Sequence, residues 1–404
     1  MQTNRRTAAL LATGVLSLAA VAHAEENATP ATPLPTALTS TAISGYVDTS
    51  AHWNFGTGNA NNPPYSFGGA TKADGFNLNV VQLSISKPQD ESPWAAGYTV
   101  DLWFGPDANI LNSQSSGIHG DLAVRQAYVA LRTPVGNGID WKVGVFDTCI
   151  GYEGLSSPGN PHYTRSYGFA IEPTTHTGVQ AAYKFADWLS ATACVADTVG
   201  PVINQRAFLA GNKAESYKTY MGSIALTAPD SWGWLKGSSL SLGVVNGFNS
   251  GASEGSPGNT TSWYAGATVA TPVTGLKFGA AYDAYVVHDY TQVNGTGEGP
   301  GNAWSAAAYA SYQATEKLAF NLRGEYLDDG ADLLGDWSDV GSGRDFRVWA
   351  FTATAQYDLW KNVLSRVEFR WDHVADGPAF GGLTAGTPTR DNAFLLAANI
   401  IYKF

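Results

Sequence analysis

From Val363 to Asp372 the chain reads Val-Leu-Ser-Arg-Val-Glu-Phe-Arg-Trp-Asp, and from Arg366 charged and apolar residues alternate with a period of two. Successive side chains of an extended strand point to opposite faces. Val363, Val367, Phe369 and Trp371 therefore share one face, and Arg366, Glu368, Arg370 and Asp372 the other. The stretch 318–326 repeats the pattern, with Leu318, Phe320, Leu322 and Tyr326 opposed to Asn321, Arg323 and Glu325. The final stretch, Asp391 to Phe404, sets Phe394, Leu396, Ala398, Ile400, Tyr402 and Phe404 against Lys403 and Asn399 beside Ile401, Ala397 and Leu395. A strand that closes a barrel against the first strand, with one face toward lipid, has this form. An Arg facing lipid near the midplane costs about 2–4 kcal/mol, so the charged rows belong inside. Their alternating signs suggest a water-filled lumen. The competing reading is a filled interior in which the rows only brace neighbouring strands.

Composition agrees. Charged residues make up 14% of the 404 residues, against roughly 25% in soluble domains. Beyond the N-terminus no apolar run approaches the ~18 residues of a membrane helix. Arg5 and Arg6, the apolar core Thr7–Ala22 and the small-x-small site Ala22-His23-Ala24 read as a secretory leader cleaved after Ala24. Removing those two arginines leaves 21 basic residues against 34 acidic, a net charge of −13. That excludes a nucleic-acid footprint. Residues 25–42, rich in Pro, Thr and Ala, read as a flexible periplasmic linker, and 43–404 as the barrel domain.

A hairpin pattern recurs along the barrel domain. Strands are predicted near 43–54, 76–87, 95–104, 122–132, 139–147, 176–185, 188–197 and 217–228. Further ones fall around Leu240–Val244, then near 261–271, 276–286, 303–313, 318–326, 347–357, 363–373 and 391–404. Phe76, Leu78 and Val80 change phase to Val81, Leu83 and Ile85, which implies a bulge near Val80. The phase of 122–132 is ambiguous. Long connections at 55–75, 105–120, 148–174, 198–216, 247–260, 288–302, 328–345 and 374–391 alternate with tight turns. This asymmetry predicts an all-β, up-and-down antiparallel transmembrane barrel of about sixteen strands, with long outer loops and short periplasmic turns. A soluble sandwich has no reason for it. Trp53, Trp188, Trp232, Trp234, Trp263, Trp304, Trp360 and Tyr402 lie towards strand ends, as interfacial girdles do.

The segment 148–174 gathers Tyr152, Glu153, His162, Tyr163, Arg165, Tyr167 and Glu172, groups suited to a constriction. Gly144, Phe146, Thr148, Gly151, Tyr152 and Glu153, then Asn160, Pro161, His162, Tyr163, Arg165 and Ser166, then Thr175, His176, Gly178 and Val179 form three motifs. In these, and in "ISGYVD" (43–48) and "RQAYVALRTPVGNG" (125–138), the chain resembles the outer-membrane β-barrel porin-2 (OmpL-like) family. The resemblance is sharp over about 120–185. It implies a porin-like barrel without naming a solute. Val145 stands where the family usually has Lys, and Cys149 where it usually has Pro; a pore-lining Lys lost at 145 would alter selectivity. The terminal aromatic strand also resembles the sorting signal of bacterial outer-membrane barrels.

Cys149 and Cys194 form neither a disulfide framework nor a metal spacing. Strand spacing puts them two strands apart, roughly 9–10 Å, too far for a bridge without loop movement. There is no G-x-S-x-G, H-E-x-x-H or Walker motif, and "DDGAD" (328–332) reads as a solvated acidic loop. The expectation is therefore a non-enzymatic porin of the bacterial outer membrane, without metal or cofactor, passing small hydrophilic solutes or ions. Loop 148–174 is expected to fold inward to face Arg323, Glu325, Arg366, Glu368, Arg370 and Asp372. The expected partners are outer-membrane lipid, the barrel-assembly machinery through the closing strand, the solutes, and further copies of the chain in a homotrimer. The alternatives are a closed structural or adhesive barrel with partner-binding loops, and a secreted all-β binding protein.

Overall fold

The computed structural model describes residues 40–404 apart from 57, 69–71, 116–119, 210–211, 214–216, 250–257, 290–300, 331–345 and 376. The leader, most of the linker and the end of "DDGAD" lie outside the described residues. Sixteen strands form one closed barrel in which each pairs antiparallel with its neighbours. They are β1 Ala42–Asn54, β2 Gly75–Lys87, β3 Ala96–Phe104, β4 Leu122–Thr133, β5 Ile139–Asp147, β6 Thr175–Ala186, β7 Leu189–Ala196 and β8 Thr219–Thr227. The second half comprises β9 Ser239–Phe248, β10 Asn259–Ala270, β11 Leu276–Asp289, β12 Gly301–Gln313, β13 Leu318–Asp329, β14 Phe346–Trp360, β15 Val363–Val374 and β16 Asn392–Lys403. The fold is the one the hairpin pattern predicts.

Closure depends on a glycine. Phe404 N donates to Gly45 O at 3.0 Å, and Gly45 N donates to Phe404 O at 2.9 Å. A Cβ on Gly45 would lie 2.7 Å from the Phe404 ring and 2.1 Å from Gln82 O, so the closing aromatic packs where a side chain is missing. Along β16, Phe394, Ile400, Tyr402 and Phe404 are exposed on the outer face, while Leu395, Ala397, Asn399 and Ile401 are buried inside.

Two bulges explain the irregular phases. In β2 the pairing passes from Asp48↔Val80 to Thr49↔Leu78, leaving Asn79 as the extra residue. Phe76 and Leu78 face outward, but Val80 is buried. The expected grouping of Val80 with those two is thereby corrected: the bulge lies one residue earlier. In β4, Arg125 is extra between Asp101↔Gln126 and Leu102↔Val124. Arg125 and Gln126 are consecutive and both buried, hence the lack of a single period in that strand.

Two long connections turn inward. The one after β3 carries a helix, α1 (Pro106–Leu111). The one after β5 carries a short 3-10 turn, Ser157–Gly159, and a helix, α2 (Tyr167–Ile171). Neither helix has a period that the sequence reading detected. Wall residues Tyr46, Val80, Trp103 and Ile401 pack with Leu111, Leu155 and Phe169 from these loops in one buried cluster. Apolar groups thus occupy part of the interior.

A loop clasped inside the barrel

The local fold of 144–178 is set by its glycines. Gly144 has φ +136°, and a Cβ there would stand 2.2 Å from Ala127 O. It pairs with Gly178, where a Cβ would meet Val195 O at 2.1 Å. Glycine at both positions lets four strands approach where the chain leaves the wall. Thr148 N then donates to Thr174 O at 2.9 Å, pinching the loop at its neck. Gly151 has φ +117°, and a Cβ there would sit 2.6 Å from a Glu172 oxygen. The Asn160 side chain accepts from Gly154 N at 2.8 Å and donates to Gly154 O at 2.7 Å, folding the loop on itself. Ser166 caps α2 by accepting from Phe169 N at 3.2 Å. Most of the motif residues therefore shape the loop.

The charged rows of β13 and β15 hold that loop by its backbone. Glu368 accepts from Tyr163 N at 2.6 Å and Thr164 N at 2.9 Å. Glu325 accepts from Tyr167 N at 2.6 Å. Arg366 donates to Asn160 O at 2.5 Å and Ser157 O at 3.0 Å. Arg323 reaches Thr164 O at 3.0 Å, and Arg370 reaches Arg165 O at 2.8 Å. A backbone offers donors and acceptors in turn. A strand whose inner row alternates guanidinium and carboxylate can satisfy both, with charge-assisted bonds.

Side chains complete the clasp. Glu153 of the loop pairs with Arg323 at 2.8 Å and accepts from Ser166 N at 3.0 Å. Arg323 also meets Glu325 at 2.9 Å, and Arg370 meets Asp372 at 2.8 Å. The Arg370 guanidinium lies over Tyr65 and Tyr167, 4.2 and 4.9 Å from the ring centroids. Tyr167 Oη donates to Asp372 at 2.7 Å. Tyr152 stacks on Tyr309 with centroids 4.3 Å apart, and its hydroxyl lies 3.0 Å from that of Thr268. Tyr163 shares a hydrogen bond with Ser50 at 3.0 Å, so the loop tip reaches the first strand. His162 Nδ1 bonds the Thr354 hydroxyl at 2.7 Å. Burial, and then Arg323, Arg366 and Arg370, push the His162 pKa well below its ordinary value.

The structure thus brings Tyr152, Glu153, His162, Tyr163 and Arg165 against Arg323, Glu325, Arg366, Glu368, Arg370 and Asp372. It does not leave that row wet. Arg323, Arg366 and Arg370 are 0–1% exposed. The expectation that the row faces open water is corrected, because the loop takes the place of the solvent. Val145 is buried (6% exposed), whereas Val143, two residues before it across Gly144 at φ +136°, is 43% exposed. Sequence reasoning missed the wall hydroxyls Thr352 and Thr354, which bond Arg323 and Glu368. Their only signal is their place one strand across from the charged row.

On the long-loop side lies a cavity of about 370 Å³. Phe67, Leu111, Phe169 and Ile171 give it apolar walls, with Glu172 and Ser262 among its polar groups. Beyond the neck, on the tight-turn side, Lys142 on β5, Ser190 and Thr192 on β7 and Ser223 on β8 point inward and are half-buried. Among the described residues, no group of three or more His, Cys, Asp or Glu is placed to hold a metal.

A closed sixteen-stranded antiparallel barrel with an apolar outer belt and a polar inner wall defines a bacterial outer-membrane porin-type protein. The family model "Putative beta-barrel porin-2, OmpL-like" matches residues 40–404, and the chain belongs to that family. No curated protein matches it by sequence. Among solved structures it is similar to the anion-selective porin from Comamonas acidovorans, with TM-score 0.57, 13% identity, and coverage of 90% of this chain and 99% of that one. It is also similar to the outer membrane channel DcaP of Acinetobacter baumannii (0.58, 15%, 90% and 97%). A third is OmpT of Vibrio cholerae in its trimer form (0.54, 12%, 90% and 99%). At these identities the likeness is one of fold.

Proposed function

We propose that the protein is a passive outer-membrane channel whose narrowest level is set by loop 148–174. The observation that carries this is the clasp: five charged wall side chains hold one loop across the lumen by its backbone. The solutes are small and hydrophilic, or ions. They enter through the 370 Å³ vestibule and leave past Lys142, Ser190, Thr192 and Ser223, where hydroxyls and an ammonium replace hydration. No covalent step is required of any residue.

The row is balanced within itself. Arg165, Arg323, Arg366 and Arg370 stand with Glu153, Glu325, Glu368 and Asp372, so the clasp adds little net field to the passage. Ion preference then comes from the half-exposed residues of the passage and from the acidic surface. The chain is exported by its leader, cut after Ala24, and assembles as a homotrimer through the barrel wall.

Reconstitution into a planar bilayer tests the reading. Discrete conductance steps are expected from folded protein. Their absence, in protein that shows heat-modifiable gel mobility, would leave a closed structural barrel instead. In the same assay Arg366→Ala is expected to increase open-channel noise with little change in reversal potential.

A further inference from the structure

The chain contains two cysteines in 404 residues, and the fold puts them side by side. Cys194 lies on β7, between Gln180 of β6 and Met221 of β8. Cys149 is the second residue beyond β5. Measured along the wall, the two stay two strands apart. After Asp147, however, the chain turns inward and crosses β6. By Ile150 it has reached β9, where a Cβ on Gly243 would lie 2.5 Å from the Ile150 side chain. Cys149 is thereby carried onto Cys194. Both thiols are buried in one cluster with Phe146, Ile150, Met221 and Val245. Gln180 Nε2 lies 3.6 Å from Cys194 Sγ, and both thiols are free in this structure. The expectation that two strand spacings keep the cysteines apart gives way to their place in one buried cluster.

We propose that Cys149 and Cys194 are a disulfide site, and that the bond staples the root of loop 148–174 to the β7 wall. The cysteines are 2% and 5% exposed in the folded barrel, so oxidation belongs to the exported, unfolded chain in an oxidising compartment. The co-reactant is an oxidised protein dithiol of the cell envelope. One thiolate attacks its S–S bond to form a mixed disulfide. The second thiolate displaces the envelope protein, forming the Cys149–Cys194 bond. Two thiols are oxidised by two electrons, the partner's disulfide is reduced to two thiols, and the protons lost by one pair appear on the other. Once the barrel closes, burial shields the bond from exchange. The neck hydrogen bond from Thr148 to Thr174 then lies next to a covalent tie, so the loop's first turn cannot lift from the wall.

The test uses full-length protein extracted from outer membranes, with iodoacetamide present throughout and no reductant. Peptide mapping is expected to recover Cys149 and Cys194 in one linked species, two mass units below the sum of the free peptides. Finding both residues carbamidomethylated, in this material and again after refolding with oxidised glutathione, overturns the proposal. This readout is independent of conductance, so it fails separately from the channel reading. As a second measurement, reduced wild type refolded with reductant is expected to lose its heat-modifiable form about 5 °C below the oxidised protein. A Cys149→Ser, Cys194→Ser double variant is expected to show no effect of reductant. Identical transitions for oxidised and reduced wild type overturn the staple.

Discussion

At the scale of the residue, Glu368 has the most concentrated duty. It accepts from two loop amides and from the hydroxyls of Thr164 and Thr354. Removing it leaves those four donors buried without their acceptor. Glu368→Ala is expected to destabilise the folded barrel by about 3–5 kcal/mol, with Glu368→Gln intermediate, in urea titrations of vesicle-inserted protein. Equal midpoints would remove the clasp as a source of stability. His162 adds a pH dependence. Burial and the three guanidiniums push its pKa well below the ordinary 6.5. Its contribution is therefore complete above pH 6.5 and is lost as pH falls through that value towards the depressed one. Wild type is expected to lose stability relative to His162→Gln between pH 7 and pH 5. A difference that does not change with pH would refute the linkage. Burial beside Asp283 raises the Glu172 pKa, which works in the opposite sense as pH falls, so the comparison with the variant is needed.

At the scale of the element, β15 is two surfaces. Val367 is 56% exposed on its outer face, one residue from the buried Glu368. Val367→Arg is expected to cost about 2–4 kcal/mol if it lies near the midplane, read from the urea midpoint of refolding into lipid vesicles. A cost under half of that would mean that the outer face does not meet lipid at this height. The loop is the second such element. Replacing Glu153–Ile171 with a short Gly-Ser turn is expected to raise single-channel conductance at least about twofold, since a barrel of this size otherwise leaves a wide lumen. Unchanged conductance would locate the narrowest level elsewhere. The bulges at Asn79 and Arg125 belong to this scale too. Each shifts a strand's phase by one residue, so period-two reading blurred at β2 and β4 and stayed sharp at β13, β15 and β16.

At the scale of the whole molecule, two aromatic belts bound the outer surface. Trp304, Tyr326 and Trp349 follow one another across β12, β13 and β14, with centroids 5.2 and 4.6 Å apart. Trp188, Trp232, Trp234 and Trp360 are exposed at the tight-turn end. Amphipathic rings at two heights fix the depth of a barrel between two interfaces. Between them the interior is divided: a vestibule on the long-loop side, a clasped loop in the middle, and a polar wall towards the tight turns. Conduction belongs to this scale, because no single strand encloses a path.

The sequence by itself determined the strands, their faces, the even count and the closing edge. Those follow from period-two alternation, and alternation is a local record of which face meets lipid and which meets the interior. Loop 148–174 was legible as a cluster of polar groups, and the arginine row as an inward face. Only the tertiary structure decided what the row touches. Tyr163 and Glu368 are 205 positions apart, and a charged row reads the same on the page whether it faces water, ions or the amides of a folded loop. The meeting of Cys149 with Cys194 has the same cause. Spacing along a barrel wall is local geometry, whereas a chain that leaves the wall and crosses the lumen obeys packing between distant segments.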